Sequence, residues 1–575
     1  MFRSMLASVA LSLFSICALT SYSQSQDSLV TVGSPATMFP QNHQEEPALA
    51  VDANHPNILV AGANDAFDLE ACAAGDPTVC DFTPGVGLSG VYFSFDSGKT
   101  WTQPTYTGLT GRDCLGPAPC TPHVGPIGTV PRYFESGLMS AGDPGVAFGP
   151  RPGPDGTFSW SNGSRLYYSN LASRLTRTAF RGVVAATVSR TDNVQAAAAG
   201  DNSAWMPPVI VGRRNAALFS DKDQIWADNA ASSPFFGNVY LCDVAFRGAF
   251  SQSQHAFANP LTVSISRDGG DTWQEKQITP AAGNINHLGF SGCSVRTDSH
   301  GVVYVFAQEF ALGLPGFGFH ILVQSSDGGH TWTRPRRTVQ AVDICFVVDP
   351  VQGRCVSDGI AGARNDLSAS PSVDIANGAP TGVGATDEII DTWVDGRAGL
   401  NHEHVLLSMS MNRGVTWSSP ENITQAGDRG FYSAGAISPT GTDIYVAYDA
   451  FTTPFRTNAT DPRGLVGVVV HSSVGAGGSP VVFSQLHRGV VGDPRASSHP
   501  EFAIEFLGDY IYAVATRTYG AAVWTDVRHA AVCPAVNAYR ESLETGGSVP
   551  RPAPNSDCPA TFGNSDIFAG SFANP

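Results

Sequence analysis

One eight-residue pattern occurs four times in this chain and limits its fold more than any other feature. The copies are Ser94-Phe-Asp-Ser-Gly-Lys-Thr-Trp101, Ser266-Arg-Asp-Gly-Gly-Asp-Thr-Trp273, Ser325-Ser-Asp-Gly-Gly-His-Thr-Trp332 and Ser410-Met-Asn-Arg-Gly-Val-Thr-Trp417. All fit Ser-x-Asp-x-Gly-x-Thr-Trp, with Asn412 replacing the Asp in the last copy. Each follows a short apolar run, such as Leu261-Thr-Val-Ser-Ile265. The octet has the chemistry of a tight β-hairpin. Its Asp can accept hydrogen bonds from the turn's own N–H groups and from the Thr hydroxyl. Its Gly takes a backbone angle that a Cβ would forbid. Its Trp opens the returning strand and buries an apolar face under the turn.

A second repeat lies between the octets: a short strand, a turn, then a very apolar strand. The pairs begin at Pro47 and Ile58, Pro144 and Leu166, Gln224 and Asn238, Cys293 and Val302, Pro371 and Ile389, Ala436 and Ile444, and Tyr512 and Gly520. Seven such units read as strands A and B of seven blades, each followed by a hairpin supplying strands C and D. The octets resemble the Asp-box, or BNR, repeat of the sialidase-like β-propeller superfamily. The resemblance implies an all-β, seven-bladed β-propeller of four-stranded antiparallel blades. A six-bladed sialidase-type ring is the alternative, and it would demote the irregular unit near 144–200. In that family the boxes lie on the face away from the substrate, so their Asp residues are expected to be structural. The segment Leu29-Val-Thr-Val32 is expected to close the ring against the last blade, and no helix of any length is evident.

Residues 1–23 read as a secretory signal, with Arg3, an apolar stretch from Leu6 to Leu19, and small residues before Gln24. Residues 24–575 then form one propeller domain, expected to be soluble, exported and monomeric. Eleven cysteines include Cys17 in the signal, leaving ten. The close pairs Cys72/Cys80, Cys114/Cys120, Cys345/Cys355 and Cys533/Cys558 leave Cys242 and Cys293 for each other, and five disulfides suit an oxidising compartment. Sequons stand at Asn162, Asn422 and Asn458. A formal charge of −17 argues against nucleic acid and anionic membrane as partners. It leaves open a carbohydrate, neutral or acidic, met by a local basic pocket. No cofactor is expected, and no cysteine spacing resembles a zinc site.

If the boxes join strands C and D, the opposite face collects the loops that enter strand A and leave strand B. Entering strand A are Glu45, Glu46, Asp143, Asp221, Asp223, Arg364, Asp366, Tyr432, His499, Glu501 and Asp509. Leaving strand B are Arg397, His402, His404 and Arg528. Trp393-Val-Asp-Gly-Arg397 and Trp524-Thr-Asp-Val-Arg528 share Trp-x-Asp-x-Arg. That pattern reads either as an ion pair stapling a turn beside a core Trp or as an arginine aimed into the funnel for a carboxylate. The resemblance implies an arginine cluster, an acid/base carboxyl and a Tyr–Glu nucleophile pair. Arg364, Arg397 and Arg528 are the arginine candidates, with Glu46 and His402 as further substrate contacts. Asp143 or Glu46 is the candidate acid, and Tyr432 with Glu501 or Glu309 is the candidate nucleophile pair. The chain departs from sialidases in lacking an Arg-Ile-Pro segment before its first box. Three functions fit: an exo-acting glycosidase for a terminal acidic sugar, a non-catalytic glycan- or protein-binding propeller, and a lyase or glycosidase for uronate polysaccharide using His402 or His404.

Overall fold

In a computed structural model, the described residues are 27–80, 83–176, 179–180, 182, 184–212, 218–247, 259–280, 289–309, 316–475, 480 and 482–575. The expected signal segment lies outside them. Among the described residues, seven antiparallel sheets of three to five strands follow one another along the chain, with two further two-stranded ribbons, Tyr106–Thr110 with His123–Ile127 and Val347–Val348 with Cys355–Val356. Their innermost strands are Gln44–Val51, Gly145–Pro152, Leu218–Ala227, Phe290–Thr297, Ser372–Ile375, Arg429–Ile437 and Tyr512–Ala515. Each innermost strand packs beside the next, and the seventh packs against the first, so the ring closes around an axis. The fold is a seven-bladed β-propeller, as the paired repeats predict. The unit near 144–200 is a full blade with five strands, which rules out the six-bladed alternative.

Ring closure uses both ends of the propeller. Ser28–Leu29 pairs with Asp566–Ala573, the outermost strand that the C-terminal segment contributes to blade seven. This covers an edge that would otherwise present unpaired N–H and C=O groups.

All four octets fold into the expected turn between strands C and D. In the first, Ser94 Oγ donates to Asp96 Oδ1 at 2.9 Å, Thr100 N–H donates to Asp96 Oδ1 at 2.9 Å, and Thr100 Oγ1 donates to Asp96 Oδ2 at 2.7 Å. The copies at Asp268 and Asp327 repeat these bonds. In the fourth, Asn412 Oδ1 accepts from Thr416 N–H at 2.8 Å, while its amide donates to Thr416 Oγ1 at 2.8 Å. The Trp then fills a seam between blades. Trp101 packs with Tyr519 and Val523 of blade seven, and Trp417 meets Phe306 of blade four edge-on at 5.8 Å. Asp-box turns therefore stitch each box-bearing blade to the one before it.

All five expected disulfides form, four of them within the stretches 67–90, 107–140, 340–370 and 528–562, and Cys242–Cys293 between the sheets of blades three and four. One expectation fails. The loop 528–562 holds a helix, Pro534–Thr545, that the strand-centred reading missed. It starts with Pro at its first position and ends on Gly546 at φ 69°, both helix-boundary signals. Of its buried positions Val536, Asn537, Arg540 and Ser542, the first three share one helical face, and the set carries little hydrophobicity. Among the described residues no helix is long and apolar enough to cross a membrane.

Candidate functional site

Because the boxes occupy the ends where strand A finishes, the opposite face of the axis is built where strand A begins. There the backbone is kinked in the same way in four successive blades. Glu46, Asp143, Lys222 and Gly292 all take left-handed angles, with φ of 54°, 52°, 58° and 53°. In blades one, three and four the kink coincides with a shift of register between strands A and B. In blade two it falls in the gap between Leu138–Ser140 and Gly145–Pro152. Left-handed geometry costs a non-glycine residue about 1–2 kcal/mol. Three such residues at one level of one funnel mark a place where strain is retained.

The kinks bring ionisable groups from distant parts of the chain together. Asp509, fully buried, sits at the centre. It accepts from Arg364 Nε at 3.0 Å and Arg364 Nη2 at 2.8 Å, and from the Lys222 ammonium. Lys222 N–H also donates to Asp143 at 3.2 Å. Glu46 lies 3.7 Å from Arg364 Nη2 and accepts from Asn64 Nδ2 at 2.8 Å. Asn64 also donates to Glu45 at 3.0 Å and accepts from Asp143 N–H at 2.9 Å. Arg364 lies over the Phe506 ring at 4.4 Å. A cavity of about 230 Å³ opens beside this cluster, lined by Glu45, Glu46, Asp143, Arg364, His499 and Phe506 among others. A narrower chamber of about 80 Å³ lies next to it, with Lys222, Tyr432 and Asp509 in its wall.

Burial sets the protonation of the cluster. It pushes Glu45 up to about 8, against the opposing pull of Asn64. Glu46 rises with it through burial and the charge of Glu45. Burial, then Glu46, carries Asp143 up to about 6, and burial carries Asp221 up to about 7. Asp509 is the exception. Burial would raise it too, but Arg364 and Lys222 together hold it well below the usual carboxylate range. At mildly acidic pH the cluster therefore contains two cations, one carboxylate and a set of neutral carboxyls.

Of the residues singled out from sequence, Glu46, Asp143 and Arg364 line one cavity, and Tyr432 borders the adjoining chamber. Tyr432 donates its hydroxyl to the Arg364 carbonyl at 2.9 Å, and burial raises it well above the usual phenol range. Glu501 is exposed on the 499–506 loop, where its N–H reaches His499 Nδ1 at 3.4 Å. Arg397 and Arg528 staple turns. Arg397 Nε meets Asp395 at 2.6 Å while Trp393 Nε1 donates to the same carboxylate at 2.9 Å. Arg528 bridges Asp526 at 2.5 Å and Asp27 at 2.7 Å, over the Phe568 ring at 3.9 Å. His402 is exposed, its N–H bonded to the Gly399 carbonyl at 3.0 Å. Sequence reasoning missed Lys222, Asn64 and Phe506. The one available signal was that Lys222, one of three lysines in the chain, stands between Asp221 and Asp223 at the start of a strand A.

No family model matches the chain, and no curated protein matches it. Solved structures do. The chain is similar to the Hadza microbial sialidase Hz136, at 13% identity over 71% of this chain and 63% of that one, with a TM-score of 0.39. It is similar to a protein of unknown function from Dyadobacter fermentans, at 11% identity over 76% and 96%, TM-score 0.40. It is also similar to the Trypanosoma rangeli sialidase, at 12% identity over 78% and 56%, TM-score 0.38. The chain thus spans less than two thirds of the length of both sialidases. Its own strand pairing and turn geometry show a seven-bladed β-propeller in which four Ser-x-Asp/Asn-x-Gly-x-Thr-Trp turns join strands C and D.

Proposed function

We propose that this chain is a secreted glycoside hydrolase that takes a terminal acidic sugar into the funnel cavity. The observation behind this reading is the buried cluster at Arg364, Glu46 and Asp143 beside a cavity of about 230 Å³. Arg364 is locked on one edge by Asp509, which leaves Nη1 for a ligand carboxylate. Asp143, pushed up to about 6, keeps its proton in mildly acidic solution and can give it to a glycosidic oxygen.

Charge supports an acidic sugar only over part of the pH range. With Glu45, Glu46, Asp143 and Asp221 neutral, Lys222 and Arg364 against Asp509 leave a net charge of +1. Asp366 lies 4.0 Å from Arg364 Nε and is paired with Arg354 at 2.5 Å, so that pair leaves the count unchanged. As pH rises through about 6 to 8 the carboxyls ionise and the site turns negative. Binding of a carboxylated sugar should therefore weaken over that window.

A non-catalytic glycan-binding propeller is the second reading. It is favoured by the commitment of Arg397 and Arg528 to their turn carboxylates, and of Tyr432 to a backbone carbonyl away from Glu501. A fluorogenic glycoside panel, sialosides and uronides included, separates the two. Hydrolysis abolished by Asp143→Asn supports the enzyme. Saturable binding without turnover, lost in Arg364→Met, supports the binder. Turnover that survives both substitutions rejects this site.

A further inference from the structure

One wall of the cavity, packed against the segment that enters blade one, is not part of a blade. It is the loop 495–506, which contributes His499, Pro500 and Phe506 to the cavity. A wall of irregular backbone needs its polar groups satisfied from elsewhere. Four of the loop's carbonyls and one of its hydroxyls are met by one side chain, beside backbone bonds of the loop and Arg551 Nη2 donating to the Pro500 carbonyl at 2.9 Å. Arg540, on the helix Pro534–Thr545, is 1% exposed. It donates from Nε to the Phe502 carbonyl at 3.1 Å and from Nη1 to the Arg495 carbonyl at 3.1 Å. From Nη2 it donates to the carbonyls of Ser497 at 2.9 Å and Ile504 at 2.7 Å, and to Ser498 Oγ at 3.1 Å. The five acceptors span the loop, and a planar guanidinium can reach them together where an ammonium cannot.

The helix is itself fixed. Cys533, at its N-terminal cap, is joined to Cys558. Val536 packs with Phe39, Phe502 and Phe562. At the other end of the loop, Arg463 lies between Asp358 at 3.2 Å and Glu505 at 2.7 Å, one residue before Phe506. Phe506 is the surface on which Arg364 stacks.

We propose that Arg540 is a positioning residue for the funnel site. It holds the 495–506 loop in one conformation and, through the Phe506 ring stacked on one face of Arg364, fixes the orientation of the Nη1 edge that a ligand meets. This rests on the funnel being the ligand site. The helix, absent from the blade repeat, then belongs to the site rather than to the scaffold.

Hydrogen–deuterium exchange of the full chain tests this, comparing wild type with Arg540→Lys, Arg540→Met and Ser498→Ala. Ser498→Ala removes one of the five acceptors and leaves the helix intact. Exchange in peptides covering 495–506 should rise at least tenfold in both Arg540 variants and less in Ser498→Ala. Blades two to four should be unchanged. Affinity for N-acetylneuraminic acid and galacturonic acid, measured in parallel, should fall with the loop's protection, Arg540→Lys lying between wild type and Arg540→Met. Unchanged exchange at 495–506, or a rise spread evenly over all blades, overturns the proposal. So does probe affinity that persists in a loosened loop. If wild type binds neither probe, the funnel reading fails and Arg540 loses its role toward a ligand, whatever the exchange shows.

Discussion

At the scale of single residues, the account turns on carboxyls kept neutral by burial. Glu46 is raised above its unfolded value, so between those two values the folded chain binds more protons than the unfolded one. Its contribution to stability is therefore full at low pH and is lost as pH rises through the folded pKa. Glu46→Gln removes this dependence. Thermal unfolding at pH 5 and pH 9 should show a larger drop for wild type than for the variant, and equal drops would show that Glu46 does not titrate in the fold. The arginines separate in the same way. Arg397→Ala should leave ligand binding intact, because its guanidinium is spent on Asp395 and the Gln340 carbonyl. Arg364→Ala should abolish it, and isothermal titration distinguishes the two.

At the scale of elements, the box turns are scaffold. Asp268→Ala removes acceptors for Ser266, Asp271 and Thr272 in a half-exposed turn and should cost about 1–2 kcal/mol in urea unfolding. Funnel binding should not change. These elements were legible because their chemistry is local: an Asp, a Gly and a Trp at fixed spacing form the same turn wherever they occur. The site was legible only in part. Glu46, Asp143 and Lys222 occupy left-handed positions without being Gly or Asn, so no backbone preference announces their kinks. Their partners Arg364 and Asp509 come from loops hundreds of residues away, and only ring closure brings them together. Trp-x-Asp-x-Arg was visible as a motif, yet the sequence alone could not tell a stapled turn from a funnel arginine. The helix at 534–545 escaped because its buried face is centred on Asn537 and Arg540, where hydrophobic periodicity has nothing to register.

At the scale of the whole molecule, closure and charge matter most. Blade seven is completed by Ser28–Leu29, so deleting residues 27–32 should expose a strand edge, lower the thermal midpoint and promote association detectable by size-exclusion chromatography. The five disulfides suit export from the cell, which is part of the proposal. With Glu45, Glu46, Asp143 and Asp221 beside Lys222 and Arg364, the funnel is positive only while those carboxyls keep their protons. The most direct measurement is therefore the affinity for N-acetylneuraminic and galacturonic acids at pH 5 and pH 8, in wild type, Arg364→Met and Asp327→Ala. The account predicts binding of at least one of them at pH 5, at least tenfold weaker at pH 8, lost in Arg364→Met and kept in Asp327→Ala. Binding of equal strength at both pH values, or binding that survives without Arg364, would contradict it.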